Sequence, residues 1–358
     1  MSFPKTVQLF FPMWIGLIFC GCNGTQPQET NLDPRITIDI WYGDQQTFGH
    51  LGGHPQRWIN ILGNVSPAAN VTRLEYSLNG GSPHNLTYND DKHRLARPGD
   101  FNVDILRNEF SSGPNSILIS ATDEDGQSFE KAVEVIYKDN EGHWPLPYSI
   151  DWSTVENISD VAQIVDGKWE LSEKGVRSIE KYYDRAFAIG DESWSNYEVS
   201  TSVIFHAITP PKVDPNTTNV SHAAIATRWP GHDPDGLQPT RKWHPLGATA
   251  EFRTSKDLQQ ARWRIFDGQK EFHVESNKRR AIELEKKYQM KHRVQTLKDG
   301  RSLYQVKLWP NDEAEPTEWD MERYEPNEDV SFGSALLLAH HTDVTFGNVL
   351  VIPIQTKE

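Results

Sequence analysis

Near the end of the chain, in EPTEWDMERYE (315–325), three acids alternate: Glu318, Asp320 and Glu322. On a β-strand this spacing puts all three on one face, with Trp319 and Met321 on the other. Two carboxylates on one face could cleave a glycosidic bond. One would attack the sugar and the other protonate the leaving group, with Asp320 tuning their protonation. The geometry is demanding. Residues four apart on a strand lie roughly 13 Å apart at Cα, whereas a retaining pair needs its carboxyl groups about 5 Å apart. Pro316 and Pro326 bracket the segment, which suits an edge or connecting strand.

A second constellation lies mid-chain. ATAEFRT puts Thr249, Glu251 and Arg253 on one strand face, and ARWRIF puts Arg262 and Arg264 on one face. IATRW adds Arg228 and Trp229, and Trp243 follows. As neighbours, these strands would gather arginines around one carboxylate. The planar guanidinium fork suits carboxylates or ring hydroxyls, and an exposed Trp suits stacking on a sugar ring. The competing reading is a cross-strand salt-bridge ladder on a solvated face.

Metal signals are thinner. His340 and His341 are adjacent, so on a strand they point to opposite faces and cannot chelate together. Asp343 follows them, and zinc would need further ligands that the sequence does not place. Asp233 and Asp235 in GHDPDG resemble a fragment of a calcium loop, without the downstream Glu of the helical type. The sequence thus names no cofactor, and Ca2+ is the one ion it suggests. There is no G-x-S-x-G, P-loop or dinucleotide fingerprint, and no Cys placed for catalysis.

These residues need a scaffold, and composition bounds it. The 358 residues carry 36 basic and 50 acidic side chains, a net charge of −14. Such a chain repels phosphate backbones, which argues against a nucleic-acid partner. Aromatic content of 11% and the 12 Trp can build hydrophobic cores.

The first residues differ from the rest. Lys5 is the only charge before LFFPMWIGLIFCGC, an apolar run shorter than a bilayer span but suited to a signal-peptide core. The run ends in small residues and Cys and resembles a bacterial lipoprotein signal. Gly21 favours cleavage before Cys22, with Cys20 as the alternative lipidation site. After Cys22 the chain has no Cys, which speaks against a disulfide-bonded secreted protein. The resemblance implies export and a lipid anchor at the cell envelope, at the outer membrane or cell surface. That anchor would be the only membrane contact.

Beyond a tether at 22–35, short strands and turns fill 36–138, among them QRWINILGNV and a hairpin around DEDGQ. This stretch resembles the immunoglobulin-like modules of bacterial surface proteins, which act as spacers. KDNEGHWPLPYSIDW holds a linker at 139–147. From 148 to 358 strands resume, with a hairpin at TLKDGRSLYQVKLW. Only NKRRAIELEKKYQ (277–289) is compatible with a partial helix.

YEVSTSVIF, ATRW, YQVKLWP…EPTEW and LLLAHHTDVTFGNVLV are similar to the concanavalin A-like, laminin-G-like domains of bacterial extracellular proteins. They are similar also to the jelly roll of the 3-keto-disaccharide hydrolase family. The recurring part is Lys307, Trp309, Glu315, Pro316 and Trp319, with Val344, Phe346, Asn348, Val349 and Val351 in the closing strand. Glu318-x-Asp320-x-Glu322 separately resembles the carboxylate pattern of retaining jelly-roll β-glucanases.

The expectation is an all-β chain, an immunoglobulin-like β-sandwich followed by a concanavalin A-like two-sheet jelly roll. Its expected role is non-catalytic binding of extracellular or cell-wall polysaccharide through Arg228, Trp229, Trp243, Glu251, Arg253, Arg262 and Arg264. The competing roles are a retaining glycosidase using Glu318 and Glu322, and a structural surface module with no small ligand.

Overall fold

The computed structural model describes residues 35–139, 142–209, 221–268, 273–325 and 328–355. The signal segment, Cys20, Cys22 and all of the tether but residue 35 lie outside these. The chain is all-β. The first strands are β1 (Thr37–Ile40), β2 (Gln45–Phe48), β3 (Trp58–Ser66), β4 (Arg73–Leu78), β5 (His84–Asn85), β6 (Asp100–Leu106), β7 (Gly113–Thr122) and β8 (Ser128–Tyr137). They form sheet I, in the order β1-β3-β6, and sheet II, in the order β2-β8-β7-β4-β5. Apolar residues at every second position, such as Ile117, Ile119 and Ala121 or Phe101, Val103 and Ile105, meet in one core. The hairpin predicted at DEDGQ is present. Asp123 N donates to Gln127 O at 3.1 Å, and Gly126 supplies the positive φ of 80° the turn requires.

Fifteen more strands follow: β9 (Tyr148–Ile150), β10 (Gln163–Asp166), β11 (Trp169–Ser172), β12 (Gly175–Ser178), β13 (Arg185–Ile189), β14 (Tyr197–Ile208), β15 (His222–Trp229), β16 (Ala248–Arg253), β17 (Arg262–Asp267), β18 (His273–Glu275), β19 (Lys287–Thr296), β20 (Ser302–Pro310), β21 (Met321–Glu325), β22 (Ser334–His340) and β23 (Thr342–Pro353). Sheet III runs β10-β13-β22-β15-β16-β17-β18, and sheet IV runs β11-β12-β23-β14-β19-β20-β21, with β9 also on β23. The two sheets make a jelly-roll sandwich. Between them lie Phe187, Ile225, Phe252, Trp263 and Leu337 from sheet III, and Val203, Met290, Tyr304, Val306 and Phe346 from sheet IV. Burying side chains of this size is worth roughly 1.5–3 kcal/mol each.

The stretch 277–286 is a turn-rich connection with no helix. Its backbone pairs with another loop instead. Arg280 N donates to Ala261 O (2.8 Å) and Ile282 N to Leu258 O (2.9 Å), which carries Ile282 into the core. Tertiary pairing overrides the local helical tendency of its Lys, Arg and Glu residues.

Arg35–Glu358 form one compact unit. Buried polar groups join the two sandwiches. Arg94 lies between Asp104 (2.5 Å) and Asp166 (2.6 Å), and its Nη1 also donates to Thr240 O. Asn102 donates to Val165 O at 2.8 Å and to Asp166 at 3.0 Å. Burial pushes the Asp166 carboxyl up to about 7, against the pull of Arg94 and Arg185. Trp144, in the segment between the sandwiches, is buried, and its carbonyl accepts from Trp194 Nε1.

Candidate functional site

The face of sheet III turned away from the jelly-roll core carries most of the chemistry. Alternation explains why. In β16, Ala248, Ala250 and Phe252 enter the core. Thr249, Glu251 and Arg253 therefore take the outer face. In β17, Trp263 and Ile265 go in, leaving Arg262, Arg264 and Phe266 outside. The register sets Arg253 opposite Arg262, and Glu251 opposite Arg264. It also sets His222 opposite both Arg253 and His340. One cross-strand row therefore reads His340, His222, Arg253, Arg262.

Glu251 is the centre of this face. Arg264 Nε and Nη2 donate to its two oxygens at 2.7 and 2.8 Å, a bidentate pair. Arg253 Nε and His222 Nδ1 each lie 3.9 Å from Glu251 Oε2. Arg262 pairs with Glu275 on β18. The Glu251 side chain is only 6% exposed, and the Arg264 side chain 18%. The Thr249 hydroxyl, buried one pair of residues along β16, has no hydrogen-bond partner among the described residues. Such a group carries a desolvation cost.

A second cluster adjoins the row. Asp184 precedes β13 and accepts from His340 Nδ1 at 2.6 Å. The His222 and His340 rings stack at 4.5 Å and 10°. Donor atoms of Asp184, His222 and His340 all lie within 4.8 Å of one another. Burial pushes the Asp184 carboxyl up, but His340 and His222 outweigh it and hold it below the ordinary carboxylate value. Tyr183 packs its ring against His340 at 4.7 Å, and Asp184, then burial, raises its phenol pKa. His93, from the first sandwich, lies 5.2 Å from Tyr183. Arg185 donates to the carbonyl of Arg94 at 2.8 Å. The first sandwich thus forms one wall of this region.

The predicted binding residues therefore divide. Glu251, Arg253, Arg262 and Arg264 are brought together. Arg228 and Trp229 lie at the opposite end of β15 from His222, roughly 23 Å away at strand rise. Trp229 is fully buried, covered by Trp243 at 5.9 Å and His232 at 5.6 Å, and no ring face is left for a sugar. Arg228, with φ of 53° at a register shift, turns into the protein. It donates to Ser195 O, Ser302 Oγ, Val330 O and Thr296 Oγ1 and is fully buried. Its role is to close one end of the sandwich.

The alternating acids also separate. Strand β21 is the edge of sheet IV. Glu318 precedes it and is exposed. Glu322 accepts from Gln305 Nε2 at 2.5 Å across to β20. Asp320 departs from the alternation. Its side chain is 3% exposed, pairs with Lys278, and accepts from Leu308 N (2.9 Å) and Trp263 Nε1 (3.2 Å). It ties the edge of sheet IV to sheet III and forms no shared cleft with the two glutamates.

The oxygens of Asp233 and Asp235 are already used, Asp233 partly across to the first sandwich and Asp235 within its own loop. Asp233 pairs with Arg57 and Lys242, while Asp235 accepts from the backbone of Leu237, Arg241 and Lys242 and from Thr240 Oγ1.

Asp184, His222 and Tyr183 carry no signal in the sequence that marks them as site residues, whereas Thr249 shares the predicted polar face with Glu251 and Arg253. His340 stood out only beside His341. Its real neighbours come from β15 and the start of β13, and strand register, which the sequence does not state, brings them there.

Searches of known protein families and of curated proteins find no match. Solved structures with similar strand arrangements include the Ca2+-bound exoplasmic/lumenal domain of VIP36 (10% identity, TM-score 0.35, 59% of this chain and 91% of that one). A variant of alginate lyase Aly36B in complex with alginate trisaccharide gives 10% identity and a TM-score of 0.34, over 59% of this chain and all of that one. A protein with a galectin-like fold from Bacillus subtilis gives 10% identity and a TM-score of 0.32, over 57% and 94%. Likenesses this distant assign neither ligand nor activity.

Proposed function

We propose that the chain is a carbohydrate-binding protein whose site is the outer face of sheet III around Glu251, Arg253, Arg262 and Arg264. The carrying observation is charge matching at fixed geometry. Arg264 is paired with Glu251, Arg262 with Glu275, and His340 with Asp184. A face so balanced offers dense, oriented donors and acceptors without a strong net field. That suits the vicinal hydroxyls of a neutral sugar better than a polyanion. Tyr183 and Phe266 are only partly buried, but Tyr183 packs against His340 and His93, and Phe266 against His244 and Arg264, so the reading rests on hydrogen bonding and not on an open ring.

In this reading the protein is exported, held at the bacterial cell envelope through a lipid on Cys22, and binds extracellular or cell-wall polysaccharide without cleaving it. The first sandwich is an immunoglobulin-like module that both spaces and walls the site. A calcium requirement would have to be met away from Asp233 and Asp235, whose oxygens are already used.

The test is a panel of neutral and acidic polysaccharides assayed for binding and for hydrolysis, with Arg262→Ala and Glu318→Gln as paired variants. Binding of a neutral polysaccharide, weakened about tenfold in Arg262→Ala and kept in Glu318→Gln, is the expected result. Hydrolysis abolished by Glu318→Gln would replace this reading with a glycosidase. No binding to any member would favour a structural module.

A further inference from the structure

We propose that Asp184, His222 and His340 form a binding site for a divalent transition metal of the zinc type. Three neighbouring strands deliver the donors. His222 opens β15 and pairs in register with His340, the last residue of β22. Arg185 pairs with Ala339, which sets Asp184, one residue earlier, beside His340. Their side chains are 5%, 12% and 20% exposed for His222, His340 and Asp184, so the donors converge in a largely desolvated place.

The donor set decides the metal. Two imidazoles and one carboxylate suit zinc and its neighbours. Calcium takes six to eight oxygens, which this cluster does not offer. Three protein ligands leave a fourth tetrahedral position for water or a ligand oxygen, as in zinc sites that act on ligands. A carboxylate also lies nearby. Glu251 Oε2 is 3.9 Å from His222 Nδ1, beyond hydrogen-bond distance, and Arg264 fixes Glu251 from its other side. A small shift of His222 toward Glu251 on metal binding would let this carboxylate orient the imidazole. The ion would take the place of the hydrogen bond between His340 Nδ1 and Asp184. Because the two imidazoles stack in parallel at 4.5 Å, binding requires them to splay so that both lone pairs meet one point. The two readings share this face, since the His340–Asp184 pair enters the charge matching above, but the metal ligands are not the residues assigned to hold the sugar.

The experiment uses the chelator-treated full chain, titrated with Zn2+ and separately with Ca2+ by calorimetry, with Co2+ absorption as a report of coordination number. The expected result is one Zn2+ per chain, a tetrahedral Co2+ spectrum, and no Ca2+ heat at this site. His340→Ala and His222→Ala should each weaken Zn2+ binding by more than about 100-fold. Asp184→Asn, which keeps the shape of the side chain, should weaken it by at least about 10-fold with the far-ultraviolet spectrum unchanged. Absence of stoichiometric Zn2+ binding by the wild-type chain overturns the proposal. So does Zn2+ binding that survives all three substitutions, which would place the ion on other histidines. Stoichiometric Zn2+ binding by a wild-type chain that binds no polysaccharide would count against the carbohydrate reading alone.

Discussion

The two sheets of the jelly roll both carry charged and aromatic residues on their outer faces, and they use them differently. On sheet IV the groups close on one another. Lys307 Nζ sits 4.5 Å from the centre of the Trp319 ring, donates to Pro316 O at 2.7 Å and pairs with Glu315 at 2.8 Å. Lys291 bridges Glu315 and Glu198, and Arg293 joins Glu198 while lying 4.9 Å from Trp319. Burial pushes the Glu315 carboxyl up, but the two lysines outweigh it and hold it below its ordinary value. This is a clasp that pins the 311–320 connection to the sheet. On sheet III the pairs are as short, but the Thr249 hydroxyl has no hydrogen-bond partner among the described residues, and the face is less completely closed by its own side chains, with Tyr183, Arg262, Arg264 and Phe266 only partly buried. On the proposed reading, similar residue types serve closure on one face and recognition on the other.

Several substitutions would break or sharpen that contrast. The largest effect is expected from Arg264→Ala, which strands the buried Glu251 carboxylate. Chemical denaturation should show a loss of about 3 kcal/mol or more, with polysaccharide binding lost too. Next comes acid. His292 is fully buried with Nδ1 2.9 Å from Ile225 O, and burial lowers its pKa to about 4. It stays neutral when folded, whereas the unfolded chain takes up a proton near the ordinary value of about 6.5. The contribution of His292 is therefore full above about pH 6.5 and falls as pH drops toward about 4, by about 3 kcal/mol at most, while Asp166, raised to about 7, works in the opposite sense. The difference between wild-type and His292→Gln unfolding curves across that window isolates the His292 contribution and should show the fall.

Arg262→Ala removes a partly exposed pair. It should cost less than about 1 kcal/mol of stability but about tenfold in polysaccharide affinity, read by affinity electrophoresis. Lys307→Ala should do the opposite, lowering stability by about 1 kcal/mol and leaving affinity unchanged. Glu318→Gln should change neither by a measurable amount, because its side chain is exposed.

The fold was legible because alternation is a strong signal. Runs such as SILISAT and TAEFRT declare which residues turn inward, and turns such as KDGR declare hairpins. The face that carries Glu251, Arg253, Arg262 and Arg264 was legible for the same reason. What could not be read was everything that depends on which strands are neighbours. His340 meets His222 and Asp184 only because β22 lies between β13 and β15. Arg228 shares a strand with His222, but a positive φ and a register shift turn it inward. Asp320 kept the right spacing for a catalytic strand, yet β21 begins only at Met321, so its carboxylate escapes the alternation. Lys307, Trp309, Glu315, Pro316 and Trp319 drew notice as a recurring sequence pattern. In the structure they are the clasp of sheet IV.

The most direct measurement is the affinity of the full chain for a neutral polysaccharide in wild type, Arg262→Ala and Lys307→Ala, each checked for folding by circular dichroism. The expected result is binding by wild type and Lys307→Ala, weakened about tenfold in Arg262→Ala. Binding that is untouched by Arg262→Ala and lost in Lys307→Ala would move the site to sheet IV and contradict the account.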